Sequence, residues 1–343
     1  MAILHIFNPE HDIALAINLS NFTSPHAGRQ LRADLGFLPA IWAHEDDVVL
    51  VDNKEDAQTA FARLMHRTFD GFVEKRELTR LSIHQVEPWG WDLALCAFLL
   101  RYGIDASVLP TEMQIAAIRN FSHRKTAVEI ARQKGFPSEI CEKTEYVFSQ
   151  LSEWENIVVK APWSSSGRGI RFINGQIDAC LQRWIDNVIV RQGSIIVEPY
   201  YNKVKDFAME FESNGRGKVT CCGLSLFQTT SGAYLGNILA TEEEKREMIS
   251  RYVSLDLIDT IQRELCDLLT AVLKDQYRGP LGVDMMIVAR EDKDGFLLHP
   301  CVEVNLRRTM GHVALELSKL FPSEHVMNIE YRDNHYKLKI HRL

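Results

Sequence analysis

The chain has no apolar run long enough to cross a membrane, because no uncharged stretch among its 343 residues approaches the ~20 residues that a spanning helix needs. Its first residues, MAILHIFNPEHD, turn polar and acidic too soon to contain the apolar region of a signal peptide. We therefore expect a cytoplasmic protein without a membrane partner.

Disulfide and zinc patterns are also missing. The seven cysteines form no CxxC pair, and their odd number is typical of reduced thiols in a cytosolic protein. The net charge of -7 argues against nucleic acid or an anionic membrane as the main partner. These absences leave small molecules as the expected partners, and they leave a homodimer open.

The chain does contain enough apolar sequence for a large core, since 46% of its residues are hydrophobic. Strand and helix patterns alternate over its N-terminal third, starting with a strand at residues 2–7, which predicts a small open α/β domain. Further helices are predicted over residues 122–134, with Ser122 as N-cap, and over residues 241–277, with a break near Ser254. Later strands are predicted at residues 146–148, 157–160, 169–173, 195–199, 206–212, 218–227, 282–289 and 296–304.

A lysine followed by a loop of small residues marks the middle of the chain. Lys160 ends an apolar strand, and the loop SSSGRG that follows contains Ser165, Ser166 and Gly167. Small residues let backbone N–H groups approach a phosphate closely, and the lysine adds a positive charge. The lysine precedes the glycines, so this is not the P-loop pattern, and a polar hairpin turn is the alternative interpretation.

Acidic residues on two predicted strands form a second pattern. Asp284 lies within the apolar run GVDMMIV, where an unpaired carboxylate would be costly to bury. In CVEVNLRR, the residues Glu303, Asn305 and Arg307 alternate along a strand and therefore share one face. Two carboxylates and an amide oxygen are hard ligands suited to Mg²⁺, and the arginine could reach a phosphoryl group. The alternative is an ion-paired layer on a solvent-facing sheet.

These segments, in this order, resemble the ATP-grasp superfamily, which includes D-alanine:D-alanine ligase, glutathione synthetase and biotin carboxylase. The resemblance covers residues 122–320 and adds Lys125 at a helix start and the block IVEPYYNKVKDFAMEF. It implies an α/β fold in which a small N-terminal open α/β domain precedes two ATP-grasp subdomains that sandwich the nucleotide. The implied domains are residues 1–120, 121–197 and 198–343.

The resemblance also implies roles for individual residues. Lys125 and Lys160 match the lysines that contact nucleotide phosphates, and Asp206 matches a ribose-binding acid. The residues that would border the adenine are Glu198, Pro199, Tyr200 and Tyr201. The ligands of one or two Mg²⁺ ions, or of Mn²⁺ in their place, would be Asp284, Glu303 and Asn305.

The implied activity is that of an ATP- and Mg²⁺-dependent ligase that releases ADP. A carboxylate would attack the γ-phosphate to give an acyl phosphate, which an amine or a thiol then captures. Arg307, Lys160 and Arg168 would act on the transferring phosphate, and Arg168 is expected to close over it or over the substrate. A phosphotransferase on the same scaffold and a nucleotide-binding regulatory protein without turnover are the alternatives.

The segment NPEHD directly follows the first strand. Open α/β sheets bind ligands at the carboxyl ends of their strands, so Glu10, His11 and Asp12 are candidate substrate contacts. The alternative is a helix start with Asn8 as its cap and the acids placed to suit the helix dipole.

Two further polar segments precede predicted helices. The tryptophans of PWGWD are more typical of packing between domains than of a binding site. Arg308 and His312 come just before a helix whose N-terminus would favour an anion. We therefore expect these two residues to hold a carboxylate substrate.

Overall fold

A computed structural model describes residues 2–164, 167, 169–230, 233–290, 292, 294–321, 323 and 325–342. These residues form one parallel and two antiparallel β-sheets with helices around them, which confirms the predicted α/β fold class and its N-terminal open sheet. None of the described helices is both long enough and apolar enough to span a membrane.

The N-terminal sheet is parallel and has the strand order β3-β2-β1-β4. Its strands are β1 (Ala2–Ile6), β2 (Val48–Leu50), β3 (Phe72–Val73) and β4 (Ile83–Pro88). Its helices are α1 (His11–Ile17), α2 (His26–Leu35), α3 (Lys54–Met65) and α4 (Leu93–Arg101). Because parallel strands end at the same edge, Phe7 and Trp89 meet there in an edge-to-face contact, with ring centroids 4.8 Å apart.

Two helices, α5 (Glu112–Phe121) and α6 (Lys125–Gln133), lead to the second sheet. This sheet is antiparallel and has the order β5-β8-β6-β7. Its elements are β5 (Glu139–Cys141), α7 (Thr144–Trp154), β6 (Asn156–Lys160), β7 (Ile170–Asn174), α8 (Ala179–Gln192) and β8 (Ile195–Pro199). Val158 pairs with Glu198 across β6 and β8, which places Lys160 diagonally across from Glu198 on the same face.

The third sheet has seven antiparallel strands in the order β13-β12-β9-β10-β11-β14-β15. Its strands are β9 (Lys203–Asn214), β10 (Val219–Thr230), β11 (Ala233–Leu239), β12 (Arg278–Ala289), β13 (Phe296–Asn305), β14 (His325–Arg332) and β15 (His335–Arg342). The helices in this part of the chain are α9 (Glu242–Ser250), α10 (Leu255–Leu273) and α11 (Met310–Ser318).

Alternation along β9 separates the two faces of the seven-stranded sheet. Phe207, Met209 and Phe211 are fully buried in an apolar core that also contains one side of α10. The intervening Ala208 and Glu210 line a cleft on the opposite face. One strand therefore contributes to both the core and the floor of the cleft.

The strand predicted at residues 146–148 is wrong, because these residues lie in α7. Val147 and Leu151 are both buried and are four residues apart, so this apolar run belongs to one face of a helix. The other strands predicted for the second and third sheets overlap β6 to β10, β12 and β13.

The helix predicted over residues 122–134 begins only at Lys125, and Ser122 caps the C-terminus of α5 instead. The predicted break near Ser254 is confirmed. Its side chain accepts a hydrogen bond from the backbone N–H of Leu257 and so caps the start of α10.

Candidate active site

A cleft of about 700 Å³ is lined by residues of the second and third sheets and of the N-terminal unit. The predicted site residues that line it are Lys160, Gly167, Glu198, Pro199, Tyr200, Tyr201, Asp206, Asp284, Glu303, Asn305 and Arg307. They come from distant stretches of the chain, so tertiary structure is what brings them together. Ser165, Ser166 and Arg168 lie outside the described residues.

Strand register places the acidic residues side by side on the cleft floor. Asp284 on β12 pairs with Glu303 on β13, and Gly282 pairs with Asn305 two residues further along. Burial, and then the neighbouring charge of Glu303, raise the pKa of Asp284 to about 7. Two carboxylates placed this closely favour a cation between them, because a cation stabilises the ionised form of both.

An arginine that the sequence patterns did not single out contacts one member of this acidic pair. Arg124 directly precedes α6, and its buried guanidinium donates a hydrogen bond of 2.7 Å to Glu303 Oε1. It also donates to the backbone oxygen of Ala161 and, over 2.7 Å, to Ser164 Oγ. Arg124 therefore ties the segment after β6 to the cleft floor. The sequence does contain a basic pair, Arg124 and Lys125, at this helix start. The family resemblance points to Lys125, the second residue of the pair.

Arg307 connects the cleft floor to the N-terminal unit. Its Nε lies 3.0 Å from both carboxylate oxygens of Asp12, and its Nη2 donates to Asn305 Oδ1 over 3.0 Å. Burial alone would raise the pKa of Asp12, but the adjacent guanidinium outweighs burial and holds that pKa below its usual value. Asp12 is thus the acid of the NPEHD segment that lines the cleft.

On the opposite wall, Lys160 Nζ lies 2.6 Å from Glu198 Oε2, and both side chains are buried. Phe172 and Tyr200 stand near this pair with ring centroids 6.0 Å apart. More than half of each aromatic residue is exposed, at 57% and 53%. Exposed rings at the rim of a cleft can cover the face of a planar ligand.

The charges of the cleft are unbalanced. Each cation that lines it forms an ion pair with one carboxylate, and these pairs are Arg124–Glu303, Lys160–Glu198, Lys203–Asp206 and Arg307–Asp12. Two more carboxyl groups of the lining, those of Asp284 and Glu210, have no lysine or arginine ion-pair partner within the described ranges. Ionisation of Asp284 therefore leaves a negative charge in the cleft that no lysine or arginine pairs with, and a divalent cation would offset it.

Some predicted site residues do not line this cleft, and they are Lys125, Arg308, His312, Glu10 and His11. The Nζ of Lys125 donates to Asn120 Oδ1 over 2.6 Å, on the outer side of the turn between α5 and α6. The side chain of its neighbour Arg124 points into the cleft instead.

Glu10 and His11 are turned into the N-terminal unit. Glu10 forms an ion pair with Arg32 of α2. His11 is buried against Gly90, where an added Cβ would lie 2.6 Å from the imidazole ring. The alternative of a helix start is confirmed, since α1 begins at His11 with Asp12 in its first turn. The predicted cap is wrong, because the N-cap is Glu10 and the Asn8 amide donates to Gly90 O over 2.8 Å.

Arg308 and His312 are packed behind the cleft floor. The guanidinium of Arg308 lies 4.4 Å from the centre of the Trp42 ring. The imidazole of His312 is buried, with Nε2 3.2 Å from Phe211 O and Nδ1 3.1 Å from Thr309 Oγ1. Burial, and then the charge of Arg308, lower the pKa of His312 to about 3, so this ring is neutral near pH 7.

Comparison with known proteins identifies the architecture. No protein-family profile matches the sequence, and no curated protein matches it. N5-carboxyaminoimidazole synthetase from Staphylococcus aureus, solved with ADP, superposes with a TM-score of 0.50 and 12% identity over 96% of this chain and 82% of that one. A biotin carboxylase from Campylobacter jejuni gives a TM-score of 0.53 and 12% identity over 92% of this chain and 67% of that one. The chain has the ATP-grasp fold.

A third ATP-grasp structure extends the match. The biotin carboxylase domain of 2-oxoglutarate carboxylase from Hydrogenobacter thermophilus, solved as a dimer with MgADP and bicarbonate, gives a TM-score of 0.51 and 14% identity. The alignment covers 97% of this chain and 75% of that one. At such low identity the likeness establishes the fold, and the chemistry of this chain has to be argued from its own side chains.

Within this ATP-grasp fold, the donor set of the cleft floor suits Mg²⁺. The described ranges contain no cluster of three or more His, Cys, Asp or Glu side chains arranged to hold a metal. The set is instead two carboxylates and one amide oxygen on adjacent strands, all of them hard donors. Two of these oxygens, on Glu303 and Asn305, now accept hydrogen bonds from guanidinium groups, which shows that they are placed to contact positive charge.

Proposed function

We propose that this protein is an ATP- and Mg²⁺-dependent ligase that joins a carboxylate to an amine or a thiol and releases ADP. The observation that carries the proposal is the cleft floor, where Asp284, Glu303 and Asn305 share one face with Arg307 beside them. A hard-oxygen metal set next to an arginine suits a phosphoryl group that changes partners. The fold neighbours solved with ADP and with MgADP are consistent with this use of the scaffold.

The nucleotide would lie between the second and third sheets. Lys160 would contact its phosphates, and Arg124 would do so where Lys125 does not reach. Tyr200 would cover the adenine, and Asp206 would bind the ribose. Mg²⁺, held by the cleft floor, would supply charge neutralisation and orientation of the phosphates. The domain boundaries that we propose are residues 1–120, 121–197 and 198–343.

The reaction balances without a protein nucleophile. An oxygen of the substrate carboxylate attacks the γ-phosphorus, the bond to the β-phosphate oxygen breaks, and ADP leaves. The nitrogen of the amine then attacks the carbonyl carbon of the acyl phosphate, phosphate leaves, and the nitrogen loses a proton. Arg307 would donate to the transferring phosphoryl oxygens, and its ion pair with Asp12 would hold it in that orientation.

The test is a screen of ADP release across acids and amines, with Mg²⁺ and with EDTA. We expect Mg²⁺-dependent ADP release only when a suitable acid and an amine are both present. Hydroxylamine in place of the amine should yield a hydroxamate, because it captures an acyl phosphate. A stable phosphorylated product formed without an amine would identify a phosphotransferase instead. Absence of Mg²⁺-dependent ADP release across the panel would contradict both activities.

A further inference from the structure

The cleft extends well past the proposed metal site. From β9, the strand order continues through β10 and β11 to β14, and each of these strands contributes to the lining. Adjacent strands are ~4.8 Å apart, so Ile329 on β14 lies three strands, or ~14 Å, beyond β9. We call this part of the cleft the β14-side recess. The residues proposed for the nucleotide lie in the other direction, on β12, β13 and the second sheet.

Glu210 stands at the inner end of this recess, and the chain is shaped around its carboxyl group. It is 1% exposed and lines the cleft. A Cβ at Gly311 would lie 1.8 Å from its Oε1, and a Cβ at Gly282 would lie 2.6 Å from its Oε2. Glycines from two separate elements therefore clear the space for this one side chain.

The surroundings of Glu210 favour its neutral form. The Nε2 of His312 lies 3.2 Å from a backbone carbonyl, that of Phe211, so Nε2 carries the ring proton and Nδ1 is an acceptor. Glu210 Oε2 lies 3.0 Å from that Nδ1, and no donor among the described residues reaches this oxygen. The same Nδ1 also accepts from the backbone N–H of Thr309 over 3.2 Å, so a proton on Oε2 relieves the repulsion between two neighbouring acceptors. In agreement, burial and then Asp284 raise the pKa of Glu210 to about 8.

The charged groups that act on Glu210 are Asp284, Arg307 and Arg308, whereas its polar neighbours on β10 and β11 are uncharged. Asn237 Nδ2 donates to Ser225 Oγ over 2.7 Å, and the hydroxyl of Tyr234 donates to Asn237 Oδ1. Ser225 Oγ lies close to Glu210, since both crowd the same position at Gly311. Ser225 accepts from Asn237 and still has its own hydroxyl proton to donate.

The walls of the recess are apolar. They come from the segments after β1 and β4, from α2, β10 and β14, and from the start of α11, and they consist of Phe7, Leu31, Trp89, Phe227, Met310 and Ile329. No lysine, arginine or ionised acid contributes to this side of the lining among the residues described on β10, β11 and β14. A charged group would lose its hydration here without gaining a partner.

We propose that the β14-side recess binds the second substrate of the ligase as an uncharged molecule, with an apolar body against these walls and one amine or hydroxyl group bonded by Glu210 and Ser225. This inference rests on the proposed function, because it takes the metal end of the cleft for the nucleotide. The acceptor substrate would then be an apolar amine, and Glu210 would be the residue that selects it.

The neutral form is the one that the chemistry requires. An ammonium ion has no lone pair, so an amine must lose a proton before it can attack a carbonyl carbon. A recess of apolar walls and neutral hydrogen-bonding groups favours the free base over the ammonium, because burial penalises the charged form. The site would thus deliver the nucleophile in its reactive form next to the metal end of the cleft.

Binding can be tested without turnover by calorimetry on the full-length protein, with phenethyl alcohol, phenethylamine and putrescine as probes. We expect phenethyl alcohol to bind with an affinity that does not change between pH 6.5 and 7.5. Phenethylamine should bind about tenfold more tightly at pH 7.5 than at pH 6.5, since its free-base fraction rises by that factor well below an amine pKa of ~10. The dication putrescine should not bind.

Variants distinguish the contribution of the polar end of the recess to binding from that of its apolar walls. Glu210→Leu removes both hydrogen-bonding oxygens and should raise the Kd of phenethyl alcohol by about tenfold or more. Glu210→Gln keeps an acceptor and a donor towards His312, so its effect should be several-fold smaller. Ile329→Asp places a charge at the far wall, on the rim of the protein, and should weaken binding by about tenfold. Glu247→Leu, an exposed acid on α9, is the matched surface control, and thermal melts check the fold of each variant.

Three results would overturn the inference: saturable binding of putrescine in preference to the alcohol, phenethylamine affinity that is flat with pH, or no binding of either phenethyl probe. These outcomes are independent of the proposed function. If the ADP screen fails while phenethyl alcohol still binds and responds to Glu210→Leu, the binding recess is supported and the ligase activity is contradicted. If ADP is released only with a charged acceptor such as putrescine, the ligase activity is supported and the assignment of the recess is contradicted.

Discussion

Arg307 and Arg308 are neighbours in the chain, yet their side chains lie in different regions of the molecule. Arg307 points into the cleft, where it binds Asp12 and the amide oxygen of Asn305. Arg308 points away and lies against the Trp42 ring. The backbone N–H of Arg308 also donates to Trp89 O over 2.7 Å. This hydrogen bond attaches the link between β13 and α11 to the end of the N-terminal sheet.

The difference shows that a charged side chain near a strand end does not by itself identify a residue of the site. The cleft side of this link has charges that face solvent space and can exchange partners. On the packed side, Arg308 lies against the Trp42 ring outside the cleft, so its contribution is to hold the third sheet against the N-terminal unit. We expect substitutions on the cleft side to change activity, and those on the packed side to change stability.

The largest effect is expected for Glu303→Gln on the cleft side. Loss of this carboxylate weakens the proposed metal set and should lower the rate of ADP formation by ~10²–10³-fold, in the range seen when one charge-stabilising group is removed. The matched control is Glu316→Gln on α11, a carboxylate outside the cleft that is paired with Lys319, and its rate should stay within about twofold of the parent. Steady-state ADP release at saturating Mg²⁺ measures both. Equal losses in the two variants would remove the distinction between the regions.

Lys160→Met should destabilise the fold as well as stop turnover. It leaves Glu198 buried without its cation, and breaking such a pair costs ~3–5 kcal/mol of the free energy of unfolding. The double variant Lys160→Met with Glu198→Gln should recover most of the stability but none of the activity. Urea unfolding and ADP release on the same samples separate the two effects. Recovered activity in the double variant would show that Lys160 acts only through its ion pair.

Arg308→Met tests the packed side directly. Loss of the guanidinium contact with Trp42 should lower the free energy of unfolding by ~1–2 kcal/mol, while turnover of the folded protein stays within about twofold. The sequence pattern led to a different expectation, that Arg308 holds the acid substrate. A raised KM for the acid, with the KM for ATP unchanged, would support that expectation and contradict the division between the regions.

The smallest effect is a pH dependence of stability that Mg²⁺ should reduce. The pKa of Asp284 is raised to about 7, first by burial and then by the charge of Glu303. Between pH 6 and 8 this carboxyl group is ionised in the unfolded chain but loses its proton in the folded one, so the free energy of unfolding falls as pH rises.

Mg²⁺ should therefore raise the Tm by about 1–2 °C more at pH 8 than at pH 6, because it binds the ionised form of Asp284. Asp284→Asn should abolish this difference. Calorimetric melts at both pH values give the comparison. A Mg²⁺ effect that survives Asp284→Asn would place the ion elsewhere.

Much of the cleft floor could be predicted from local pattern. The apolar runs around Asp284 and Glu303 marked the strands β12 and β13, and period-two alternation assigned Glu303, Asn305 and Arg307 to one face. The strand at residues 195–199 coincides with β8. Such features depend on residues a few positions apart, so the sequence carries them directly.

Other parts of the fold and the cleft had no local signal. The hairpin of β14 and β15 was not predicted, although Ile329 on it lines the cleft. Arg124 was overlooked in favour of Lys125, because both occupy a helix start and only packing decides which one turns inward. Asp12 could not be separated from its acidic neighbour Glu10 until the N-terminal sheet was placed against the link after β13.

The sequence by itself determined which strands carry the carboxylates and which of their faces holds them, since hydrophobic alternation encodes a face over a few residues. Tertiary structure decided which cations reach that face, because Arg124, Arg307 and Asp12 meet only through contacts between units that are far apart in the chain. It also decided that Arg308 packs behind the floor. The direction of a side chain beyond a strand end is set by the surfaces that meet there, and no local pattern specifies those surfaces.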